Sequence, residues 1–426
     1  MVDFARIMLW DRQVGVVSWD ADRRVASFEY EPAFVRSGLE VSPVHMPLSV
    51  GRVYSFPQLG EETFKGLPGM LADSLPDNFG NALIDGWLAR QGRTPDSCNP
   101  IERLLYQGKR SMGALEFSPA ERIGSNASVK IELDSLVEAA RRALTDKEQL
   151  HTDMGDAEAL QQILKVGTSA GGARAKAVVA YNEHTGEVRS GQLNAPKGFT
   201  HWLIKLDGVT NSELGDPMHY GRIEYAYYRM ATACGIEMTE CRLLEENGRA
   251  HFMTKRFDRT AGGEKLHAQT LCGLVHFDFN LPGAYSYEQL FQTMRLLRLP
   301  YADAEQAFRR MVFNIVARNQ DDHTKNISFL MNRDGAWSLS PAYDVAYSYN
   351  PAGRFTAVHQ MSVNGKRDGF TKDDLLQVAR SINVKKPDTV IGEVVAAVDQ
   401  WRVVADECGV PPAQAAAIAA THRLSW

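Results

Sequence analysis

Two residues in the last third of the chain have a spacing that suits phosphoryl transfer. Asp321 and Asn326 lie in the segment Asn319-Gln-Asp-Asp-His-Thr-Lys-Asn326, which follows an Asp-x-x-x-x-Asn pattern. Protein kinases use an Asp at this spacing to accept the proton of the substrate hydroxyl, and the Asn to hold a magnesium ion. Taken alone, such a spacing belongs more often to a solvated loop, so its interpretation depends on the residues around it.

A further acid follows a short apolar run. Residues Ile327 to Met331 are typical of a strand, and Asp344 ends the segment Ser340-Pro-Ala-Tyr-Asp344. A hairpin between the two would return Asp344 to the site of Asp321 and Asn326. Because magnesium takes oxygen ligands and is usually held by one or two carboxylates, these side chains predict a Mg-ATP site.

The glycine-rich segment Gly167-Thr-Ser-Ala-Gly-Gly-Ala-Arg-Ala-Lys176 is a candidate for phosphate contacts. Glycines let backbone amides approach a phosphate closely, and such amides form anion-binding concavities. The segment matches neither the dinucleotide fingerprint nor the Walker A motif, and taken alone it is more often an ordinary turn. Its position directly before a predicted strand, with Lys176 at its end, favours phosphate binding.

Lys205 lies within the apolar strand Trp202-Leu-Ile-Lys-Leu206. A charge in such a place is costly unless it is paired. A kinase lysine on a strand of this kind contacts ATP phosphates and pairs with a helix glutamate, and Glu224 is the candidate partner. An edge-strand lysine that faces water is the alternative, and the sequence leaves both open.

Two weaker signals complete the set of candidate site residues. The segment Lys255-Arg-Phe-Asp-Arg259 follows another predicted strand and is either a hinge between two lobes or a solvated charged turn. His323 lies inside the Asp321–Asn326 segment, where it either contacts a phosphate, orients Asp321, or has only a structural role. The remaining histidines show no zinc-binding spacing, and no nucleophile elbow of the hydrolase type is present.

The secondary-structure elements that must position these residues are predicted to be strands near the start of the chain and mostly helices toward its end. Polar–apolar alternation over 6–30, with a turn at 20–23, predicts an antiparallel meander. Helices are predicted over 75–88, 133–144, 157–164 and 222–234, and the chain beyond Tyr287 is mostly helical, ending in helices over 371–382, 390–407 and 411–422. The predicted fold class is therefore α+β, in a bilobal kinase-like arrangement with an all-helical C-terminal part. The predicted divisions are 1–125, 126–260 and 261–426.

Length and composition limit the broader class of protein. The chain has 426 residues, of which 44% are hydrophobic and 23% charged, as in ordinary globular proteins. Its net charge of −5 gives no global signal for nucleic acid or an anionic membrane. Five scattered cysteines without metal-ligand spacing, no secretory leader pattern and no apolar run of about 18 residues predict a cytoplasmic protein with no membrane partner.

Taken together, these segments resemble the HipA family, the serine/threonine kinase toxins of bacterial toxin–antitoxin modules. The resemblance covers almost the whole chain, and it is most specific in the two segments around Asp321 and Asp344. The segments that carry it are Leu75-Pro-Asp-Asn78, Ser111-Met-Gly-Ala-Leu115, Thr168 to Lys176, Ile204-Lys-Leu206, Arg256-Phe-Asp-Arg259, Asp321 to Asn326 and Pro341-Ala-Tyr-Asp344.

The resemblance implies roles for particular residues. It makes Asp321 the general base, Asn326 and Asp344 the Mg²⁺ ligands, and Lys205 a contact of ATP. It places further residues on the nucleotide, with 255–257 on the adenine side: Gly171, Gly172, Ala173, Arg174, Ala175, Lys176, Lys255, Arg256, Phe257, His323 and Tyr343. It also makes Ser169 a site of autophosphorylation.

The sequence departs from the family pattern at two positions. Asp322 stands where glycine is also expected, so either acid could be argued to be the base, and the spacing to Asn326 favours Asp321. Ala175 stands where proline is frequent, which predicts a more mobile loop.

The resemblance also implies a cellular role. The partner would be a small DNA-binding, HipB-like antitoxin, with DNA contacted only through it. The substrate would be a cellular protein, for which aminoacyl-tRNA synthetases are the known class, and its phosphorylation would arrest growth. Two other functions stay open: a small-molecule kinase of the aminoglycoside-phosphotransferase type, and a non-catalytic co-repressor module bound to an antitoxin.

Overall fold

The computed structural model describes residues 2–121, 130–145, 175–190, 195–209 and 219–426. The predicted helix over 157–164 lies outside these residues. So do five predicted site residues: Ser169, Gly171, Gly172, Ala173 and Arg174.

The N-terminal region is built on an antiparallel sheet with strand order β4-β3-β2-β1-β5. The predicted meander forms its centre, and the side chains of β1 alternate between exposed and buried because successive residues of a strand point to opposite faces. The backbone amide of Arg23 donates to the Asp20 carboxylate (3.0 Å) in the β2–β3 turn. The strands are β1 Phe4–Leu9, β2 Arg12–Asp20, β3 Val25–Tyr30, β4 Val53–Tyr54 and β5 Leu115–Ser118.

Helices of this region pack around the sheet. The helix predicted over 75–88 begins at Asn78, because the Asp77 side chain caps it by accepting from the Gly80 amide (2.7 Å). The helices are α1 Pro32–Val35, α2 Glu61–Phe64, α3 Gly69–Ala72, α4 Asn78–Arg90 and α5 Pro100–Gln107.

A second antiparallel sheet follows, with strand order β7-β6-β8-β10-β9. Its register places Lys176 of β6 directly opposite Lys205 of β8, so both lysines lie at the same end of the sheet. Its strands are β6 Lys176–Tyr181, β7 Val188–Ser190, β8 Thr200–Lys205, β9 Cys241–Glu246 and β10 Arg249–Lys255. Two helices accompany it, α6 Leu133–Thr145 and α7 Tyr220–Ala233.

The C-terminal region is mostly helical but is not all-helical. Residues 261–426 also contain a small antiparallel sheet, β11-β12-β13, formed by His267–Thr270, Ser328–Met331 and Trp337–Leu339. The apolar pattern over 390–407 predicts one helix, but Gln400 leaves the helical conformation (ψ 0°) and two helices result. The helices are α8 Leu271–Val275, α9 Tyr287–Leu296, α10 Tyr301–Val316, α11 Lys372–Ser381, α12 Pro387–Asp399, α13 Trp401–Glu407 and α14 Pro412–Ala419.

Three clusters of buried apolar side chains hold the described residues together. The largest lies among the C-terminal helices, and another lies under the first sheet. In the third, Phe79 and Leu83 of α4 pack with Trp202 and Ile204 of β8. A helix of the N-terminal region therefore supports the sheet that carries Lys205. None of the described helices has both the length and the apolar character of a membrane span.

Candidate active site

A buried ion-pair cluster lies where the second sheet meets the C-terminal region. The Lys205 ammonium, at the end of β8, contacts the carboxylate of Glu224 on α7 and lies 2.6 Å from Oδ1 of Asp344. The side chains of Lys205 and Glu224 are only 11% and 2% exposed, so each charge depends on its partner. The predicted Lys205–Glu224 pair is therefore formed, and the edge-strand alternative does not describe Lys205.

Asp344 joins this cluster from the opposite side. Its Oδ2 lies 3.5 Å from the ammonium of Lys176, so two lysines share one carboxylate. Burial alone would raise the pKa of Asp344, but the ammonium groups of Lys176 and Lys205 outweigh it and hold that pKa well below its usual range. Burial would likewise lower the pKa of Lys205, yet Asp344 and Glu224 raise it. The site is thus charged on both sides at neutral pH.

The loop after α10 carries the other two predicted residues. The Asn326 side chain donates to the backbone carbonyl of Asp321 (2.8 Å), which closes the loop through a short 3₁₀ turn over Thr324–Asn326. Strands β12 and β13 then form the predicted hairpin, and Asp344 follows it. Asn326 and Asp344 line the same cavity, so the hairpin brings them together.

The two neighbouring acids have different environments. The side chain of Asp321 is 46% exposed. Asp322 is 3% exposed, and its carboxylate accepts from the Tyr287 hydroxyl (3.0 Å), Nδ1 of His359 (2.9 Å) and the backbone amide of Gln360 (2.8 Å). Three donors occupy the carboxylate of Asp322 inside the protein, whereas nearly half of the Asp321 side chain is exposed.

The side chains predicted to contact the nucleotide base have mixed surroundings. Arg256 is buried and forms an ion pair with Asp258 (2.5 Å), so an adenine contact at this position would have to come from the backbone. The ring of Phe257 lies against that of Tyr343, with 5.3 Å between centroids. Lys255 lies 3.6 Å from Glu183 and 3.8 Å from Glu240, near the surface.

Tyr343 and His323 border the Asp321 loop. The Tyr343 hydroxyl donates to the Lys325 carbonyl (2.8 Å) and contacts Ser328, so it is engaged within the protein. The Nε2 atom of His323 lies 3.7 Å from Oδ1 of Asp321. Ala175 is buried just before β6, and its carbonyl accepts from the Leu206 amide (3.0 Å).

Sequence reasoning missed a segment that contacts both acids. Gln360 donates to Oδ1 of Asp321 through its side chain (3.1 Å) and to Asp322 through its backbone. The available signal was the pair Asn364-Gly365, a dipeptide typical of a hairpin turn, whose backbone φ angles are 50° and 73°. The turn could be predicted from this pair, but its proximity to residues some forty positions earlier could not.

The donor set suits a magnesium ion better than a softer metal. The described part of the chain contains no group of three or more His, Cys, Asp or Glu side chains arranged to hold a metal. Asn326 and Asp344 instead offer oxygen atoms on one cavity, which fits an ion that keeps waters and shares phosphate oxygens.

Comparison with known proteins places the chain in a family. The family model of the HipA-like C-terminal domain matches residues 168–418, and that of the HipA N-terminal domain matches residues 5–118. The chain belongs to the HipA family. Its fold is shared with the HipA chain in a Shewanella oneidensis complex of HipA, HipB and operator DNA, at a TM-score of 0.68 and 18% identity over 98% of this chain and 94% of that one. The predicted bilobal α+β fold is confirmed.

Two curated Sinorhizobium fredii proteins of related sequence carry kinase names. The chain is 27% identical to "Putative kinase Y4dM" over 235 residues, which are 51% of this chain and 54% of that protein. It is 25% identical to "Putative kinase Y4mE" over 126 residues, which are 28% of this chain and 30% of that protein. The chain thus spans about half of one of these relatives and under a third of the other.

Proposed function

We propose that the protein is an ATP-dependent serine/threonine protein kinase and the toxin of a toxin–antitoxin module. The observation that carries this proposal is the contact of Lys205 with both Glu224 and Asp344, beside the loop of Asp321 and Asn326. A cation fixed between a helix glutamate and a metal-binding aspartate is the arrangement that a kinase uses to hold ATP phosphates.

We infer a task in phosphoryl transfer for each side chain of the cluster. Lys205 and Lys176 attract the phosphates, and Asn326 and Asp344 supply oxygens to magnesium. When bound there, magnesium would supply positive charge that offsets the charge of the phosphates. Asp321 accepts the proton of the acceptor hydroxyl, because its carboxylate is accessible whereas that of Asp322 is buried and enclosed by donors.

The nucleotide then extends from this cluster toward the second sheet. Residues 171–176 surround its phosphates, His323 and Tyr343 lie beside it, and Lys255 to Phe257 flank the adenine, with Arg256 contributing its backbone. The aromatic contact between Phe257 and Tyr343 supports this path, since it links the end of β10 to the residue before Asp344.

Autophosphorylation at Ser169 would join this chemistry to regulation. A phosphate adds about −1.5 to −2 charges and three acceptor oxygens, so on Ser169 it would compete with ATP for the cations of the site. The modified loop should then leave the nucleotide, giving an inactive kinase.

The proposal extends to the partner and the target of the protein. A HipB-like antitoxin binds the protein and carries it to DNA, as the complex of the Shewanella protein suggests. The chain's net charge of −5 is a poor match for direct DNA contact. The target is a cellular protein, with an aminoacyl-tRNA synthetase as the first to test, and its phosphorylation arrests growth.

Incubation with Mg-ATP followed by mass spectrometry tests the proposal. Phosphate is expected on Ser169 in the wild-type protein and not in the matched Asp321→Asn variant. Absence of phosphate on Ser169 in a protein that phosphorylates other proteins would remove the switch but leave the kinase. Transfer to an aminoglycoside and to no protein would favour the small-molecule kinase instead.

A further inference from the structure

Three atoms of Asp321 form hydrogen bonds within the described part of the chain, and its second carboxylate oxygen forms none there. Its backbone amide donates to the Ser348 hydroxyl (3.1 Å), and its carbonyl accepts from Asn326 (2.8 Å). Its Oδ1 accepts from the Gln360 side chain (3.1 Å). Its Oδ2 has no hydrogen-bond partner within the described part of the chain. The two oxygens of one carboxylate are therefore in different situations.

The side-chain amide of Gln360 bonds to Oδ1 of Asp321, so it makes the two carboxylate oxygens unequal. Its side-chain nitrogen must face Asp321, because an ionised carboxylate can only accept hydrogen bonds. The amide oxygen of Gln360 is buried and has no partner among the described residues, which destabilises the fold. An apolar residue of similar size would avoid that loss, so packing alone does not account for a glutamine here.

The element that delivers Gln360 is rigid. The His359 backbone amide donates to the Arg367 carbonyl (3.1 Å), and the Arg367 side chain donates back to the His359 carbonyl (2.6 Å). Between them the chain reverses through Asn364-Gly365, both with positive φ, as in a type I′ turn. The Asn364 side chain is in turn fixed by Asp374 (2.8 Å).

A connected set of hydrogen bonds ties this element to the Asp321 loop. The backbone of Gln360 donates to Asp322, so the same residue contacts both neighbouring acids. Asp322 also accepts from Tyr287, whose hydroxyl accepts from Asn314 (3.0 Å). The position of the Gln360 amide relative to Asp321 is therefore fixed by the backbone on both sides.

We propose that Gln360 is a positioning residue for Asp321, whose amide engages Oδ1 so that Oδ2 meets the acceptor hydroxyl. The proposal rests on the kinase function proposed above. In the transfer, the hydroxyl oxygen bonds to the γ-phosphorus, the bond from that phosphorus to the β–γ bridging oxygen breaks to release ADP, and the hydroxyl proton passes to Oδ2. A carboxylate free to rotate would offer the correct oxygen for less of the time.

Gln360→Met is the test, because methionine keeps the length of the side chain and the backbone contact to Asp322 but cannot donate. The rate of transfer from Mg-ATP to dephosphorylated casein should fall roughly 10- to 100-fold, with half-saturating ATP unchanged, because the lost contact orients the base and does not hold the nucleotide. The free energy of unfolding of the variant in urea should be no lower than that of the wild type, because methionine leaves no buried amide oxygen unpaired. A wild-type rate in Gln360→Met would overturn the proposal.

Gln360→Glu is a second variant with a different pH signature. At neutral pH its carboxylate faces that of Asp321 and cannot donate, so transfer should be slow. As the pH falls, the protonated Glu can donate to Oδ1, so its activity relative to wild type should rise, whereas that of Gln360→Met should not. Equal pH profiles for the two variants would contradict a role through hydrogen-bond donation.

The hydrogen bond between Gln360 and Asp321 can also be detected by NMR, without an activity assay. In protein labelled with ¹⁵N-glutamine, the Gln360 amide resonance is identified by its loss in Gln360→Met. It should shift in Asp321→Ala, which removes the acceptor, and not in the matched Lys255→Ala variant at the surface. No shift in Asp321→Ala would refute the contact. Transfer missing from the wild type, with the shift present, would instead refute the kinase function.

Discussion

Replacement of Lys205 by methionine should separate the stability of the ion-pair cluster from its function. Lys205 contacts Glu224, whose side chain is 2% exposed. Removal of the ammonium leaves that carboxylate buried and unpaired, which should lower the free energy of unfolding by about 3–5 kcal/mol. The carboxylate of Asp344 is destabilised less by this change, because Lys176 remains 3.5 Å away and the Asp344 side chain is 25% exposed.

The double variant Lys205→Met/Glu224→Gln is the matched control. A neutral amide replaces the stranded carboxylate, so most of the lost stability should return. Phosphotransfer should stay lost in both variants, because neither has a cation at this position to contact ATP phosphates. Urea unfolding followed by circular dichroism and a Mg-ATP transfer assay measure the two effects. A single variant as stable as wild type, or a double variant that regains transfer, would refute the reasoning.

Four other changes have expected outcomes. Asp322→Asn should lower the free energy of unfolding by about 1–3 kcal/mol in urea titrations, since one amide cannot accept from three donors. By contrast, Asp321→Asn should keep wild-type stability and ATP affinity, while its rate of phosphate transfer should fall by on the order of 10²-fold. Equal stability of Asp322→Asn and Asp321→Asn would contradict this. Asp344→Ala should abolish the magnesium dependence of ATP binding in calorimetry, and an unchanged dependence would remove Asp344 from the metal site. Burial raises the pKa of Asp77 to about 7 from 3.8. The free energy of unfolding of the wild type should therefore fall relative to that of Asp77→Asn as the pH rises between those values, by about 4 kcal/mol at pH 8. If the two proteins differ in urea midpoint by the same amount at pH 5 and pH 8, this prediction is wrong.

Local patterns predicted most of the elements around the site. Lys205 could be recognised because a charge within an apolar strand requires a partner, and Glu224 because it opens a helix of suitable spacing. The meander, the β12–β13 hairpin and the closing helices likewise follow from periodicity and turn residues. These features depend on neighbours within a few positions, which a sequence displays directly.

Features that depend on distant residues could not be predicted in this way. The burial of Asp322 is set by Tyr287 and His359, each more than thirty positions away along the chain. Strand β11 pairs His267 with Met331, some sixty positions later, so the three-stranded sheet could not be predicted from a local pattern. The break at Gln400 was missed because a single residue leaves the helix while the apolar pattern continues through it.

The packing of α4 against β8 bears on how this chain could be shortened. Phe79 and Leu83 of α4 belong to the same buried apolar cluster as Trp202 and Ile204 of β8, the strand that ends at Lys205. A fragment that starts after residue 125 would lack α4, so part of this cluster would be exposed to water beside β8, the strand that holds Lys205. The residues after 125 therefore share a buried core with the N-terminal region, and a change that displaces α4 is expected to disturb the strand that holds Lys205.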